Sequence, residues 1–448
     1  ALQAELRLNR RTAPMLYRHV LPVTRRQDGG FEIDGRGEPV DWLLEMRRFD
    51  QAAGLDRIAA AGPLDGRLVE ELAEAVVELH EQAEVDRTSD GHRAMAEVIG
   101  GNASDLAGLA GGHLPVAPVR RLNEATAAEL ARRRPLLEAR GRAGRIRHGH
   151  GDLHLANIVV LDGRPVLFDC LEFDPALART DVLYDLAFLI MDLLHRGQRH
   201  PAQRLLSVYL ERTEDDAGTA LLPLFLAVRA TIRAKIAGFE ARDRSQGAVA
   251  RAYLDQALGF LEHRPKPRLI AIGGLSGTGK STLARALAPD LGPAPGAVVV
   301  RSDGIRKRLF GHRPHERLGP EAYREEVSAR VFERLAERAE ALLGAGHAVI
   351  ADGVFLQPAQ RARIERSAEA AGVPFLGLWL EAPEQLIGRR VSERSGDASD
   401  ATAEVVRAQM GIDPGAIGWT MLSAGGPPEA VAAEARRIID PAARISPE

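Results

Sequence analysis

The hydrophobic positions in the first part of the chain mostly repeat with the period of an α-helix. One helix is predicted over residues 64–84, where the apolar face consists of Leu68, Leu72, Ala75, Val76 and Leu79. The same pattern predicts helices over 122–140, 181–196, 201–212, 219–240 and 246–262. Two β-type runs, 156–161 and 164–169, are joined by Asp162 and Gly163, a pair typical of a two-residue hairpin turn. This region is therefore predicted to be α+β and mostly helical.

The pattern changes after a basic, proline-containing segment, EHRPKPR, at residues 262–268. Apolar runs that are typical of buried strands then alternate with helical stretches. These runs are 268–274, 297–302, 347–351 and 374–380. Strands separated by helices favour a parallel sheet with helices on both faces. We therefore predict two domains, 1–264 and 265–448, and the second is an α/β fold.

The composition is that of a globular protein, with 45% hydrophobic and 27% charged residues among 448. A net charge of −3 gives no general reason to expect binding to nucleic acid or to an anionic membrane. The most apolar stretch, 181–194, is interrupted by Asp185 and Asp192, so no membrane helix is predicted. A single cysteine, Cys170, favours a reducing, cytoplasmic location. The chain begins at Ala1 rather than at a methionine, so we expect it to be a piece of a longer protein.

The stretch GLSGTGKST, residues 274–282, fits the pattern G-x-x-x-x-G-K-[ST] between a predicted strand and a predicted helix. In this pattern, backbone amides and the helix N-terminus bind phosphate. The predicted ATP-binding residues are Gly274, Ser276, Gly277, Thr278, Gly279, Lys280, Ser281 and Thr282. Only four of the 59 basic residues are lysines, so the lysine at 280 is informative: a compact ammonium suits the β- and γ-phosphates.

Acidic residues follow two of the later strands. Asp303 is predicted to accept a proton from a substrate hydroxyl, with Arg306 as a second catalytic residue; the alternative for Asp303 is a helix N-cap. Ser281 is predicted to bind Mg²⁺, and Asp352 is predicted to hold the same ion through water; the alternative for Asp352 is a place near the substrate.

An arginine-rich segment lies further along the chain. Its residues Arg390 and Arg394 are predicted to belong to a lid over the phosphates, and the alternative is a set of exposed helix arginines. With the P-loop and the stretch SDGIRK, this half resembles the small P-loop kinases of the gluconate kinase, zeta toxin and polynucleotide kinase type. The resemblance implies ATP- and Mg²⁺-dependent phosphorylation of hydroxyls on sugars, nucleotides or nucleic-acid ends, and leaves the acceptor open.

The stretch HGHGDLHLANI, residues 148–158, allows two interpretations. Its H-x-H-x-D-x-H spacing is one residue longer than the H-x-H-x-D-H run of metallo-β-lactamase-like hydrolases, and 175–262 is predicted to be helical, which disfavours zinc hydrolysis. In the favoured interpretation, Asp152 and Asn157 have the five-residue spacing of a kinase catalytic loop. Asp169 follows a hairpin, where a metal-binding aspartate is expected.

The stretches HGDLHLANIVV, VLFDCLEFDP and TDVLYDLAFL resemble the aminoglycoside phosphotransferase family, which has the protein-kinase-like fold. The resemblance implies that Asp152 is the catalytic base and that Asn157 and Asp169 bind Mg²⁺. It also implies loop-shaping roles for His150 and His154, and a structural role for Asp185. The segment LLEMRRFD (43–50) would be the hinge, and Glu5 would be the helix glutamate that pairs with a lysine.

That lysine is missing, because no lysine precedes Lys235. The small lobe is predicted to be incomplete, so either a first lobe is absent or this half is a degenerate kinase, and we expect residues 1–262 to bind ATP poorly. The two-part layout resembles bacterial proteins in which an aminoglycoside phosphotransferase-like domain is fused to an ATP-binding kinase domain.

The leading hypothesis is therefore a phosphotransferase that binds a nucleotide and a small hydroxyl-bearing substrate. One alternative is an ATP-hydrolysing regulatory or toxin-like switch whose first domain only binds a partner. The other is a polynucleotide 5′-hydroxyl kinase. Nucleic acid is the less expected partner because aromatic residues for base stacking are few, at 4% of the chain.

Overall fold

The computed structural model describes residues 1–242, 244–312, 316–392 and 403–440. The chain forms two compact units: unit 1 comprises Ala1–Leu205 and Leu221–His263, and unit 2 comprises Leu206–Ala220 and Arg264–Glu448. The segment 206–220 thus belongs to unit 2, although it precedes the predicted boundary. Within the described ranges, no helix combines the length and the hydropathy that crossing a lipid bilayer would require.

Unit 1 is mostly helical. Its elements are α1 (Leu2–Asn9), β1 (Tyr17–Arg25), β2 (Phe31–Ile33), β3 (Pro39–Met46), α2 (Leu55–Ala61), α3 (Gly66–Gln82), β4 (Val85–Asp86), α4 (Gly91–Leu109), α5 (Val116–Arg142), β5 (Ile146–His148), β6 (Ile158–Leu161), β7 (Arg164–Leu167), α6 (Pro175–Ala178), β8 (Arg179–Asp181), α7 (Val182–His195), α8 (Arg199–Thr213), α9 (Leu222–Glu240) and α10 (Arg244–Glu262). The end of α8, from Leu206 on, belongs to unit 2.

The predicted helices of unit 1 are confirmed, and their ends have local causes. Asp65 caps α3 by accepting hydrogen bonds from the backbone amides of Arg67 and Leu68. Asp181 caps α7 in the same way at Leu183. Every residue of α7 from Val182 to Leu193 is buried, so this helix forms the centre of unit 1. The predicted hairpin is also confirmed, as the antiparallel pair β6–β7.

Unit 1 contains a three-stranded antiparallel sheet, in the order β2-β1-β3, that the sequence analysis did not predict. These strands follow Glu5, whereas the incomplete small lobe concerns segments expected before Glu5, so that expectation stays a prediction. The proposed hinge at 43–50 is partly strand, because β3 extends to Met46. These strands escaped detection because one face carries exposed apolar side chains such as Phe31, Ile33 and Leu43, which hides the alternation of a half-buried strand.

Unit 2 alternates strands and helices. Its further elements are β9 (Leu269–Gly273), α11 (Lys280–Leu287), β10 (Val298–Arg301), α12 (Ser302–Leu309), α13 (Glu325–Gly344), β11 (Val349–Asp352), α14 (Pro358–Ala371), β12 (Phe375–Glu381), α15 (Glu384–Ser392), α16 (Ala403–Met410), β13 (Thr420–Ser423) and α17 (Pro428–Ile439). The first four strands are those that the hydrophobic runs predicted. Strand β13 was missed because it is short and three of its four residues are exposed.

The strands of unit 2 form one parallel sheet in the order β10-β11-β9-β12-β13. On one face, Ile270, Ile350 and Leu378 pack with Leu283 of α11 and Val431 of α17. Helices α13 and α14 pack together against the other side of β11 and β12. The predicted α/β fold is confirmed, and the carboxyl ends of all five strands meet at one edge of the sheet.

The buried His347, just before β11, makes the stability of unit 2 depend on pH. Full burial lowers the pKa of its imidazole from 6.5 to about 4. Between these values the unfolded chain binds more protons than the folded one, so the free energy of unfolding decreases as the pH falls. We expect His347→Leu to weaken this dependence in urea unfolding measured between pH 7 and pH 4, a range set by the two pKa values. The same change at the exposed His312 is the control, and an equal pH dependence in His347→Leu and wild type would contradict the prediction.

Candidate active sites

The turn between β9 and α11 depends on glycine. Gly274, Gly277 and Gly279 have φ angles of +126°, +89° and +98°, in the region where other residues are strained. A side chain at 274 would collide with the carbonyl oxygen of Leu380, and one at 277 would come within 2.9 Å of the Ile387 side chain. The turn can therefore point successive backbone amides in one direction, as a phosphate-binding loop requires.

A small pocket opens at the carboxyl ends of β9, β10 and β11. It is lined by Ser276, Gly277, Gly279, Lys280, Ser281, Arg301, Ser302, Asp303, Asp352 and Val354. The structure thus brings Asp303 and Asp352 together with the P-loop, although the three lie on separate segments of the sequence. Gly274, Thr278 and Thr282 do not line this pocket in the part of the chain described.

The hydroxyl of Ser281 and the carboxylate of Asp352 are in direct contact. Ser281 Oγ donates a hydrogen bond of 2.6 Å to Asp352 Oδ2. The guanidinium Nε of Arg301 lies 3.9 Å from the same carboxylate oxygen, and the Asp352 side chain is only 5% exposed. Hydroxyl and carboxylate oxygens suit Mg²⁺, so these two residues could hold a magnesium ion at the mouth of the P-loop.

Lys280 is held within its own loop. Its Nζ donates a 2.9 Å hydrogen bond to the carbonyl oxygen of Leu275, and Thr278 Oγ1 donates to the same oxygen at 2.8 Å. The ammonium group therefore lies inside the turn, at the wall of the pocket that would receive phosphates.

Asp303 and Arg306 occupy different environments on α12. The N-cap residue of α12 is Arg301, and Asp303 lies in the first turn, so the N-cap alternative for Asp303 is wrong. Arg306 is buried, which lowers the pKa of its guanidinium. Its Nη1 donates to the carbonyl oxygen of Ala322 at 2.5 Å, and its guanidinium lies 4.9 Å from the Tyr323 ring. Arg306 thus holds the segment before α13 and does not line the pocket.

Of Arg390 and Arg394 in the predicted lid, Arg390 lies within the described residues. Arg390 Nη1 donates to the carbonyl oxygens of Ala424, at 3.0 Å, and Thr278, at 3.4 Å, so it braces the outside of the P-loop. Arg394 lies outside the described residues. Sequence reasoning missed Gln409, which accepts a hydrogen bond from Ser276 N at 2.9 Å and donates one to Ser276 Oγ at 3.0 Å. No sequence motif marks this residue.

The second candidate site is the loop after β5 in unit 1. Asn157 Nδ2 donates to both the backbone oxygen and Oδ2 of Asp152, at 2.9 and 3.0 Å. His154 Nε2 lies 3.3 Å from Asp152 Oδ2. Burial acts to raise the pKa of Asp152, but the contact with His154 and the charges of Arg229 and His150 lower it below its ordinary value. Asp152 is therefore ionised at neutral pH and can accept a hydrogen bond from a substrate hydroxyl.

Two buried carboxylates of α7 hold this loop in place. Asp185 accepts hydrogen bonds from the amides of His150 and Gly151, at 2.7 and 3.0 Å, and Asp192 accepts one from the amide of Leu155 at 3.0 Å. Burial acts to raise the pKa of Asp185, but the hydrogen bond with His80 and nearby positive charges outweigh it and lower that pKa well below its usual range. Asp185 orders the loop backbone and is buried away from solvent, which fits the structural role that the resemblance implied.

The histidines of the loop have separate partners. His150 Nε2 lies 2.9 Å from the carbonyl oxygen of Phe168, whereas His154 contacts Asp152. Within the described ranges, no group of three or more His, Cys, Asp or Glu side chains is arranged to hold a metal ion.

Asp169 follows β7 and is exposed, with a φ of +64°. Its amide donates to Tyr17 Oη at 3.1 Å, and the amide of Cys170 donates to Asn9 Oδ1 at 2.8 Å. Glu5 lies nearby: burial and the carboxylates of Glu172 and Asp169 raise its pKa. Glu5 is thus placed among acidic groups, while the sequence contains no lysine before Lys235.

Two family models match the chain. The one described as the phosphotransferase enzyme family matches residues 5–222, and the one described as an AAA domain matches residues 269–411. The solved structure of a sugar kinase from Janibacter sp. HTCC2649 is 21% identical, covers 41% of this chain and 100% of that one, and gives a TM-score of 0.30. The APS kinase CysC of Mycobacterium tuberculosis is 23% identical, covers 39% of this chain and 97% of that one, and gives a TM-score of 0.30.

Curated relatives extend the comparison to nearly the whole chain. The uncharacterized protein Rv2004c of Mycobacterium tuberculosis (strain ATCC 25618 / H37Rv) is 32% identical over 415 residues, which cover 90% of this chain and 80% of that protein. Mb2027c of Mycobacterium bovis gives the same values. The adenylyl-sulfate kinase of Myxococcus xanthus (strain DK1622) is 35% identical over 124 residues, 28% of this chain and 63% of that protein. The chain therefore belongs to the family of Rv2004c and Mb2027c, and it combines a phosphotransferase-family domain with a C-terminal AAA domain of the P-loop kinase type.

Proposed function

We propose that unit 2 is an ATP- and Mg²⁺-dependent phosphotransferase that acts on a hydroxyl group of a small molecule. The observation that carries the proposal is the 2.6 Å contact between Ser281 and Asp352, beside Lys280 and in the same pocket as Asp303. This pocket combines the three requirements of phosphoryl transfer: a phosphate cradle, oxygen ligands for a metal, and a carboxylate that can accept a proton.

Each residue has a distinct role in this proposal. The amides of the glycine turn and the ammonium of Lys280 bind the β- and γ-phosphates. Ser281 and Asp352 would hold Mg²⁺, which would neutralise charge on the phosphates. Asp303 accepts the proton of the acceptor hydroxyl as the hydroxyl oxygen attacks the γ-phosphorus, and the bond from that phosphorus to the bridging oxygen breaks so that ADP leaves. Arg390 steadies the outside of the loop, and Arg306 holds the segment before α13.

The proposed phosphate acceptor is a small molecule that carries a hydroxyl group. The similarity of this region to an adenylyl-sulfate kinase supports a small hydroxyl-bearing molecule over a nucleic-acid end. The low share of aromatic residues, 4%, points the same way. We propose that unit 1 contributes little phosphoryl transfer in this chain, because Glu5, the expected partner of a lysine, lies among acidic groups: burial and the carboxylates of Glu172 and Asp169 raise its pKa. A cytoplasmic location stays a prediction from the single cysteine.

Labelled ATP tested against sugars, aminoglycosides, nucleosides and 5′-hydroxyl oligonucleotides should give a phosphorylated small molecule. Lys280→Ala should abolish the product by removing the charge that binds phosphate. Asp303→Asn should lower kcat by roughly 10²- to 10⁴-fold while nucleotide binding is retained, because only proton transfer is affected. Asp290→Asn, at an exposed ion pair with Arg436, is the matched control and should keep full activity.

The outcome also separates the alternatives. ATP hydrolysis that ignores every acceptor would favour the regulatory switch, and a product formed only from oligonucleotides would favour the polynucleotide kinase. Full activity in Asp303→Asn would remove that residue from the mechanism.

The metal site gives a second test. Ser281→Ala and Asp352→Asn each remove an oxygen ligand, so we expect the Mg²⁺ concentration for half-maximal activity to rise by roughly tenfold or more. The measurement is a Mg²⁺ titration at saturating ATP. Thr420→Ala, at an exposed position on β13, is the control. An unchanged Mg²⁺ dependence in both variants would place the metal elsewhere.

Unit 1 can be tested in the intact chain once P-loop binding has been removed. Titration of Lys280→Ala protein with Mg-ATP in a calorimeter should show no saturable binding that depends on unit 1, because Glu5 lies among carboxylates that repel the phosphates. Wild-type protein under the same conditions provides the reference signal, and adding Asn157→Ala to Lys280→Ala should leave the heat unchanged. Saturable heat in Lys280→Ala that disappears when Asn157→Ala is added would show that unit 1 binds ATP, which contradicts the prediction.

A further inference from the structure

The segment 206–220 covers the outer edge of the unit 2 sheet. Strand β10 is at the end of the strand order, so among the described residues no strand pairs with its outward amides. The amide of Val299 donates a buried hydrogen bond of 3.1 Å to Ser207 Oγ. Open sheet edges are usually covered or charged, and here the cover comes from a segment that lies well before β9 in the sequence, on the other side of α9 and α10.

Two arginines of α13 anchor this segment through carboxylates. Arg338 forms a bidentate pair with Asp216, with 2.7 and 2.8 Å bonds, and also donates to the carbonyl oxygen of Leu210 at 2.8 Å. Both side chains of the pair are at most 5% exposed. Arg334 Nη2 donates to Glu214 Oε2 at 2.6 Å. A buried pair of this kind fixes one geometry, because any departure leaves a charge without compensation.

The same segment also contacts α12, the helix that carries Asp303. Arg308 donates to the carbonyl oxygen of Glu211 at 3.3 Å, and its Nε lies 3.4 Å from Glu214 Oε1. The Glu211 carboxylate occupies the space in which a side chain at Gly304 would stand: a Cβ there would lie 2.8 Å from Oε2 and closer still to Oε1. Gly304 directly follows Asp303, so Glu211 packs against the turn that presents Asp303 to the pocket.

From these contacts we infer that the segment 206–220 positions the proposed active site of unit 2. Glu211 sets the location of the first turn of α12, and Asp216 and Glu214 hold the segment to α13. These are positioning residues, since they act on the reaction through Asp303. The inference rests on the proposed function of Asp303. It also means that a fragment beginning at the linker near residue 265 would lack part of its own active-site support.

The test uses the full chain and a double-mutant cycle between Glu211 and Gly304. In Gly304→Ala the new methyl group and the Glu211 carboxylate cannot occupy the same space, so either α12 shifts or the flexible Glu211 side chain leaves the contact that sets the first turn. A displacement of about 1 Å can lower kcat by roughly 10²-fold. The Kd for Mg-ATP should stay nearly unchanged, because the substitution lies on α12 and leaves Lys280, Ser281 and Asp352 in place. Gly344→Ala, at a helical glycine with open space around it, is the matched control.

Once Glu211→Ala has removed the collision partner, adding Gly304→Ala should cause no further loss of kcat. A merely structural role would lower stability and nucleotide binding together, and each substitution would act independently of the other. The inference is overturned if Gly304→Ala keeps its kcat, or if Gly304→Ala lowers kcat by the same factor with and without the Glu211 side chain. If Gly304→Ala does not fold, Glu211→Asp and Glu211→Ala test the same contact, because both shorten the side chain that reaches Gly304. Each should lower kcat and leave the Kd for Mg-ATP unchanged. An unchanged kcat in both variants would overturn the inference.

The proposed function can fail separately. If wild-type protein hydrolyses ATP and phosphorylates no acceptor, the phosphotransferase proposal fails. The same cycle is then measured by the rate of ATP hydrolysis: if Gly304→Ala has no further effect once Glu211 is replaced by Ala, the positioning role is supported, and an equal effect with and without Glu211 overturns it.

Discussion

The backbone path of residues 274–280 is the constraint on which the unit 2 site depends. Three glycines with positive φ allow the chain to turn tightly after β9 and bring Lys280 back to the carbonyl oxygen of Leu275. Leu380 and Ile387 crowd the outside of this turn, so larger residues would force it open. Because α11 begins directly after the turn, the position of Ser281 is fixed as well, and with it the contact to Asp352.

Unit 1 orders its own loop by a different physical means. Residues 149–157 are held by the buried carboxylates of Asp185 and Asp192, which accept hydrogen bonds from three backbone amides. A buried charge is costly unless donors surround it, and here the loop amides and His80 are those donors. The glycine turn limits conformation through sterics, whereas the carboxylates limit it through hydrogen bonds, so the loop of unit 1 should be the more sensitive to loss of a single acidic side chain.

The two compact units are not continuous in the sequence, because the stretch 206–220 belongs to unit 2. The stretch 206–220 groups with the P-loop unit because its acidic residues meet arginines of α12 and α13. The high arginine content therefore has structural uses besides phosphate binding. Arg338 forms a buried ion pair with Asp216. Arg306 donates a hydrogen bond to Ala322 in the segment before α13, and Arg390 donates one to Ala424 beside the P-loop.

The sequence alone determined most helices, the first four strands of the parallel sheet, and the two stretches that carry candidate chemistry. These features rest on local periodicity and on glycine, lysine and aspartate at fixed spacing, which are readable without contacts. Only the tertiary structure decided that Arg306 is a support, that Gln409 holds Ser276, and that the sheet β1–β3 exists. It also decided that 206–220 joins unit 2. Each of these features depends on contacts between residues that are far apart in the sequence. A local pattern of polar and apolar residues carries no information about such long-range contacts.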